Sequence, residues 1–81
     1  IQGRGLRLRA PGRVTVTLPL AARSGARVIV YDALGQQVIA RSVGIGMERM
    51  ELDLSGRSEG IYLVELIAGN ERQVERLILN D

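Results

Sequence analysis

Turn-forming residues divide this chain into segments that suit β-strands and leave no room for a long helix. Gly, Pro, Asn and Asp recur at intervals of roughly 8 to 12 residues. The stretches between them are rich in Val, Ile, Leu and Thr, which fit the pleated, half-buried surface of a sheet. The pattern therefore predicts an all-β protein.

Alternation of apolar and polar residues predicts which strands have one face in the core and one in water. This two-residue period occurs at residues 6–9, 14–18 and 50–54. The first of these strands is ended by Pro11-Gly12 and the second by Pro19. Residues 26–31 are apolar on both faces apart from Arg27, as expected of a central strand.

Two hairpins and one longer loop connect the later strands. Residues 26–31 are followed by the turn Asp32-Ala33-Leu34-Gly35 and a returning strand at 36–43, and Gly44 and Gly46 mark the next turn. Residues 61–68 are predicted to pair with residues 71–79 across Gly69-Asn70, a connection suited to a type I′ or II′ turn. Residues 53–60 form a loop, in which a single helical turn capped by Asp53 or Ser55 is an alternative.

These elements predict one small antiparallel β-sandwich of about seven strands, of immunoglobulin or fibronectin type III character. With 81 residues the chain has room for one core, so residues 1–81 are expected to form a single domain. Tyr62 lies just after a loop and near the start of a strand. The tyrosine corner of such sandwiches places a ring there, and its hydroxyl bonds upstream backbone.

The composition argues against most kinds of active site. The chain contains no Cys and no His, so it lacks disulfides, thiolate ligands and the usual general base near neutral pH. Its serines have no histidine or lysine to activate them, and its glycines lack the spacing of a phosphate-binding loop. We therefore expect no enzyme, no cofactor and no metal site, although a calcium site joining two loops stays open as an alternative.

The positive charge consists entirely of arginine, because the chain has 11 basic residues and no lysine. Arginine favours bidentate contacts with phosphate, so lipopolysaccharide and nucleic acid are candidate partners, whereas a codon bias explains the same composition without function. Nucleic-acid binders also use aromatic stacking platforms, and here Tyr31 and Tyr62 are the only aromatic residues. We expect no nucleic-acid partner.

Some aliphatic residues exceed what one core readily covers. Ile29, Leu63, Ile67 and Ile78 are expected on strand faces opposite the core. If they are contiguous they mark a docking surface for another domain, a receptor or a weak homodimer. The alternative is a core filled from two sheets, with scattered exposed aliphatics.

Five segments in a fixed order resemble the C-terminal sorting domain of the type IX secretion system, also known as the type A sorting domain family. They are Leu18-Pro19, the Val-Tyr-Asp-x-x-Gly-x-x-Val hairpin at 30–38, Leu52-Asp53-Leu54-Ser55-Gly56, Gly60-Ile61-Tyr62 and the aliphatic strand at 76–79. The resemblance covers about residues 10 to 79. Two departures are Ala10 where the family has Asn before Pro, and Asn80-Asp81 after the last strand.

The resemblance implies a C-terminal export signal. A cargo protein N-terminal to the domain crosses the inner membrane by a signal peptide, folds in the periplasm and presents this domain to the outer-membrane translocon. A sortase-like peptidase then often removes the domain and joins the cargo to an anionic lipopolysaccharide. Cargo carrying such a domain passes through the periplasm to the cell surface or the extracellular space.

The resemblance also implies which residues the translocon recognises. They shape the penultimate strand and offer an aliphatic, edge-like last strand to the receptor for strand addition. These residues are Gly60, Tyr62, Arg76, Leu77, Ile78 and Leu79. A second set forms the turn and structural motif: Tyr31, Asp32, Gly35, Asp53, Gly56 and Gly69. The rival function is a fibronectin-like spacer or adhesive module that binds protein or carbohydrate.

Overall fold

The regular structure of the protein is entirely β-strand. The structure, a computed structural model, describes residues 6–8, 12–19 and 25–79. The strands are β1 (Leu6–Leu8), β2 (Arg13–Thr17), β3 (Ala26–Tyr31), β4 (Gln37–Val43), β5 (Arg49–Asp53), β6 (Gly60–Ala68) and β7 (Glu71–Leu79). The described residues contain no helix, and therefore none long and apolar enough to cross a membrane. The all-β prediction is confirmed.

Two sheets of unequal size form the layers of the protein. The larger sheet has the strand order β1-β7-β6-β3-β4, and the smaller one pairs β2 with β5. Buried side chains from both sheets belong to one hydrophobic cluster, which lies between the layers. The predicted small β-sandwich is confirmed, and its immunoglobulin or fibronectin type III character stays a prediction.

Both predicted hairpins form. In the first, β3 and β4 are antiparallel, and the N–H of Gly35 donates to the carbonyl of Asp32 at 3.0 Å across the turn. In the second, Ala68 pairs with Glu71, which leaves Gly69 and Asn70 as the two-residue connection. The turn residues in the sequence were sufficient to predict these neighbours because each hairpin is a local structure.

One strand pair departs from the antiparallel arrangement. Strand β1 runs parallel to β7, with Leu6 beside Leu77 and Leu8 beside Leu79. These strands come from opposite ends of the sequence, so no tight turn fixes their relative direction. Alternation of side chains gives the face of a strand but not its direction, so the sequence pattern carried no signal for this pairing.

The loop between β5 and β6 contains hydrogen-bonded turns instead of a helical turn. The carboxylate of Asp53 accepts the N–H of Ser55 at 2.9 Å, and the N–H of Arg57 donates to the carbonyl of Leu54 at 3.0 Å. An Asp carboxylate that accepts a nearby N–H is common to turns and to helix caps, so sequence alone does not separate them. Asp53 is thus a capping residue, but of a turn.

Leucine and valine side chains from both sheets make up most of the core. In the small sheet Val14 is opposite Leu52 and Val16 is opposite Met50, so these residues share the inward face. The largest fully buried side chains are Leu18, Leu52, Leu54, Leu77, Val16, Val28 and Val30. Tyr62 also lies in the core, and its hydroxyl donates to the carbonyl of Ser58 at 2.6 Å, as the tyrosine-corner prediction requires.

The chain passes very close to itself at Gly12, just before β2. The N–H of Leu54 donates to the carbonyl of Gly12 at 2.8 Å, which continues the β2–β5 pairing by one more bond. Gly12 has a φ of +89°, and a Cβ atom there would lie 3.1 Å from the carbonyl carbon of Leu54. Glycine is needed at this position for both its conformation and its size.

We expect Gly12→Ala to destabilise the domain more than Gly46→Ala does. Gly46 has a similar φ of +82° but open space where the Cβ would be, so its substitution carries the left-handed strain of about 1 to 2 kcal/mol alone. The contact with the Leu54 backbone should add about 1 to 3 kcal/mol at Gly12. Urea unfolding of both variants measures the difference, and equal losses would contradict the role of the close approach.

We expect the domain to lose stability in acid through Asp53. Hydrogen bonds from the side chain and the backbone N–H of Ser55, together with the charge of Arg13, lower the pKa of Asp53. A carboxyl whose pKa is depressed on folding contributes stability above its ordinary pKa of 3.8, and this contribution is lost as the pH falls through the folded pKa. Asp53→Asn keeps an acceptor but has no such proton to gain, so its urea midpoint should fall less between about pH 5 and about pH 2.

The matched control for Asp53→Asn is Glu59→Gln, which removes an exposed carboxylate at the other end of the same loop. It should retain the acid dependence of the unsubstituted domain. An NMR titration of the Asp53 carboxyl provides the direct measurement, and an ordinary pKa there would contradict the prediction.

Candidate functional site

The residues predicted to be recognised by a translocon come together at one end of the β6–β7 hairpin. Gly60 is opposite Leu79, Ile61 is opposite Ile78, and Tyr62 is opposite Leu77. Arg76 follows in the same register, opposite Leu63. All six predicted residues therefore occupy neighbouring positions at the end of the hairpin that is far from its turn.

The pleat of the hairpin divides these residues between two faces of the sheet. Tyr62, Leu77 and Leu79 are buried in the core, which leaves little of their side chains for a partner to contact while the domain is folded. Arg76 and Ile78 alternate with them and so lie on the opposite face, with Arg76 exposed and Ile78 half-buried. Only the outward residues and the backbone near Gly60 are available for contact.

Further aliphatic residues extend this outward surface. The exposed fractions of Ile61, Leu63 and Val74 are 47%, 41% and 48%. Strand register places Ile61 beside Ile78, and Leu63 beside Arg76. We call these five residues the outer patch: Ile61, Leu63, Val74, Arg76 and Ile78.

The four aliphatic residues expected opposite the core do lie on the outer face of the large sheet, and Ile61 and Val74 lie there as well. Leu63 and Ile78 belong to the outer patch, while Ile67 is half-buried on the same face. Ile29 also lies on this face but is only 5% exposed, because neighbouring strands cover it from both sides. The alternation Ile61-Tyr62-Leu63 was the signal for Ile61, whereas Val74 stands among polar residues and its sequence context gave none.

The backbone of the last strand is not a free edge where β1 accompanies it. Residues 77–79 pair with β6 on one side and with β1 on the other. The expected edge-like strand is therefore corrected for these residues, since the parallel β1 already occupies the position an added strand would take. Within the described chain, residues 71–76 of β7 have a paired strand on the β6 side only.

A buried carboxylate lies on the outer face beside the patch. Glu65 is 4% exposed, and no other polar or charged residue of the described chain is buried. The Tyr31 hydroxyl donates to its Oε1 at 3.0 Å, and Arg72 donates from Nε to its Oε2. The three side chains join the adjacent strands β3, β6 and β7, so the charge is buried but fully partnered.

The same contact alters the acidity of Tyr31. The hydrogen bond to Glu65 raises the pKa of the Tyr31 hydroxyl, with burial and the negative charge of Glu65 adding to the effect. Tyr31 was predicted as part of the turn motif, and its hydroxyl instead reaches across the sheet. No sequence pattern connects residues 31 and 65, because the strands that carry them become neighbours only in the folded sheet.

The turn and the loop that carry the sequence motifs meet at one end of the sandwich. Asp32, Leu34, Ser58, Glu59 and Tyr62 are among the residues that line a groove of about 170 Å³ there. The carboxylate of Asp32 accepts the N–H groups of Leu34 and of Gln36, both at 2.9 Å, and so holds its own turn. Among the described residues no three side chains of the metal-binding types Asp, Glu, His and Cys come close enough together to hold a metal ion.

The remaining motif residues occupy turns. Gly35 lies in the β3–β4 turn, Gly56 in the β5–β6 loop and Gly69 in the β6–β7 turn. Together with Asp32 and Asp53 they shape connections and leave no side chain for chemistry on a substrate. The outer patch and the adjacent Glu65 cluster are therefore the candidate functional site.

We expect Tyr31→Phe to destabilise the domain, because the Glu65 carboxylate would lose one of its two partners. The effect should be smaller in a Glu65→Gln background, since a hydrogen bond to a neutral amide is weaker than one to a carboxylate. Urea unfolding of the four proteins in this double-mutant cycle measures the coupling. Tyr62→Phe is the control, because its hydroxyl bonds the Ser58 carbonyl and should show no coupling to Glu65.

Comparison of the sequence with known protein families identifies one family that it matches. Residues 10–80 match the family model for the secretion system C-terminal sorting domain. No curated protein and no solved structure matches the chain significantly. The matched range contains both hairpins, the β5–β6 loop and the outer patch, and the chain therefore belongs to the family of type IX secretion C-terminal sorting domains.

Proposed function

We propose that the outer patch on β6 and β7 is the surface through which the type IX secretion machinery recognises this domain. Members of the family are C-terminal sorting signals, which direct a cargo through the periplasm to the cell surface or the extracellular space. The proposal adds the surface and the residues that make the contact. Residues 1–81 act in it as one sorting domain.

The observation that carries the proposal is the contiguity of exposed aliphatic side chains on a rigid sheet. Ile61, Leu63 and Ile78 adjoin one another by strand register, and Arg76 lies directly opposite Leu63. Scattered exposed aliphatics need no explanation, but a contiguous group is typical of a protein-binding surface. A sheet also holds such a group in one geometry, which lowers the entropy lost on binding.

The buried members of the predicted set act indirectly in this proposal. Tyr62, Leu77 and Leu79 fill the core beneath the hairpin and fix the positions of the outward residues between them. Gly60 begins β6 opposite Leu79 and contributes its backbone. Their substitution would impair sorting by unfolding the hairpin and not by removing a contact.

The partners follow from the route of the cargo. The outer-membrane translocon contacts the outer patch, the N-terminal cargo follows the domain, and a sortase-like peptidase acts at their junction. The domain itself carries out no bond chemistry, and an anionic lipopolysaccharide is joined to the cargo and not to the domain. The spacer or adhesive function is less favoured, because the family match is to a sorting signal.

We expect surface delivery of a reporter to depend on the outer patch. A periplasmic fluorescent reporter fused ahead of the whole 81-residue chain should reach the surface of a host with a type IX system. Leu63→Thr with Ile78→Thr keeps strand-forming residues but removes aliphatic contact area, so delivery should fall by about tenfold. The reporter fluorescence that external protease removes from intact cells, compared with that of the periplasmic fraction, measures delivery.

The control for this experiment is Ile45→Thr, which alters an aliphatic that is 87% exposed in the turn between β4 and β5. Deletion of residues 77–81 is a poorer test, because it removes Leu77 and Leu79 from the core. Equal delivery by the patch variant and the control, with both folded by circular dichroism, would contradict the proposed surface.

A further inference from the structure

We infer that the surface which binds the outer patch is a protein surface with an aliphatic centre and carboxylates around it. The inference rests on the proposed function and adds the chemistry of the partner.

The outer face of the large sheet has an excess of arginine. Arg27 of β3 is paired with Ile67, and Arg72 of β7 is paired with the same residue from the other side. Arg76 lies further along β7, and all three arginines are exposed. Glu65 is the one carboxylate that the described strands place on this face.

Glu65 leaves most of this charge uncompensated. Its carboxylate is buried and already holds both Tyr31 and Arg72. No ion pair joins Arg27 or Arg76 to a carboxylate of the described residues. Two exposed guanidinium groups beside the outer patch therefore have no carboxylate partner among the described residues, and a protein that covers the patch must accommodate both.

The distribution of side chains resembles the centre and margin of a protein interface. The aliphatic residues Ile61, Leu63 and Val74 lie on the outer face of the β6–β7 hairpin, from its open end to its middle, with arginines among them and at their margin. Protein interfaces combine an apolar centre with a polar margin, in which arginine is enriched. Charged groups on such a margin select a partner of opposite sign and accelerate its association.

Glu65 also prepares one of the arginines for binding. The contact with the buried carboxylate restricts the Arg72 side chain, although this side chain remains largely exposed. An arginine held in this way loses less conformational freedom when a partner arrives. The buried charge thus helps to order the surface as well as to join three strands.

A second copy of the domain is a poor occupant of this face. In a two-fold dimer each copy presents the same residues, so Arg27 and Arg76 would meet other arginines. Like charges placed opposite one another in an interface are strongly unfavourable. The charge of the face therefore favours a different, acidic partner.

An anionic lipid surface also fits less well than a protein. Juxtamembrane lipid-binding segments carry clusters of about 4 to 8 basic residues, and proteins at membrane interfaces use exposed aromatic rings. Among the residues whose side chains the structure describes, this face has three arginines, Tyr62 is buried, and the hydroxyl of Tyr31 is bound to Glu65. An aliphatic centre with few charges is more typical of contact with protein.

Charge reversal on the outer face tests the inference. The reporter fused to the whole chain is mixed with outer-membrane vesicles from a type IX host, sheared open so that their periplasmic face is accessible, and with equally treated vesicles from a strain that lacks the translocon. Arg27→Glu with Arg76→Glu should weaken binding to the first vesicles by at least about tenfold, whereas replacing both arginines by lysine should retain most of it. Binding of the unsubstituted fusion should also weaken as salt is added.

The matched control is Arg41→Glu with Arg49→Glu, which makes the same change in net charge at exposed positions on β4 and β5. It should bind as the unsubstituted fusion does. The inference is overturned if the two reversal pairs behave alike, or if vesicles without the translocon bind equally well, which would indicate anionic lipid. Dimerisation seen by sedimentation and lost in Leu63→Thr would also overturn it, in favour of a second copy.

The outcome distinguishes this inference from the proposed function on which it rests. If Leu63→Thr with Ile78→Thr abolishes binding but reversal of the arginines does not, the outer patch is the recognition surface and its partner is not acidic. If the unsubstituted fusion neither binds vesicles with the translocon nor reaches the cell surface, the proposed function fails and the inference fails with it.

Discussion

The structure depends on the packing of leucine and valine side chains between two sheets of unequal size. Leu18, Leu52 and Leu54 come from the side of the small sheet and meet Val30 and Leu77 of the large one. Each such side chain contributes about 1.5 to 3 kcal/mol when fully buried. A two-stranded sheet is at best marginally stable alone, and this chain has no cysteine with which to reinforce it. The small sheet is therefore stable because its inward side chains pack against the large sheet.

This arrangement also explains why the candidate site lies where it does. The small sheet covers one face of the large sheet, and no described strand covers the other. On the open face, Glu65 is buried by side chains of its own sheet and held by Tyr31 and Arg72. Beside it the aliphatic residues of the outer patch have no covering layer among the described residues. The two-layer fold thus both stabilises the domain and presents a surface for recognition.

The candidate site was partly predictable from the sequence. Turn residues predicted the β6–β7 hairpin, and a two-residue connection fixes its register. The cross-strand neighbours of Arg76 and Ile78 were therefore predictable. The outward faces of Leu63 and Ile78 were also predicted, whereas the burial of Leu77 and Leu79, which the sequence assigned to recognition, was not. Val74 and the pair formed by Tyr31 and Glu65 also depend on strands that meet only in the folded sheet.

The sequence by itself determined the all-β class, both hairpins, the turn residues and the family to which the chain belongs. These features are local, since each depends on residues a few positions apart or on motifs in a fixed order. Only the tertiary structure decided that β1 runs parallel to β7, that Leu77 and Leu79 face the core, and that Glu65 is buried with two partners. Those outcomes depend on the direction and order in which distant strands pair, and side-chain alternation carries no information about either.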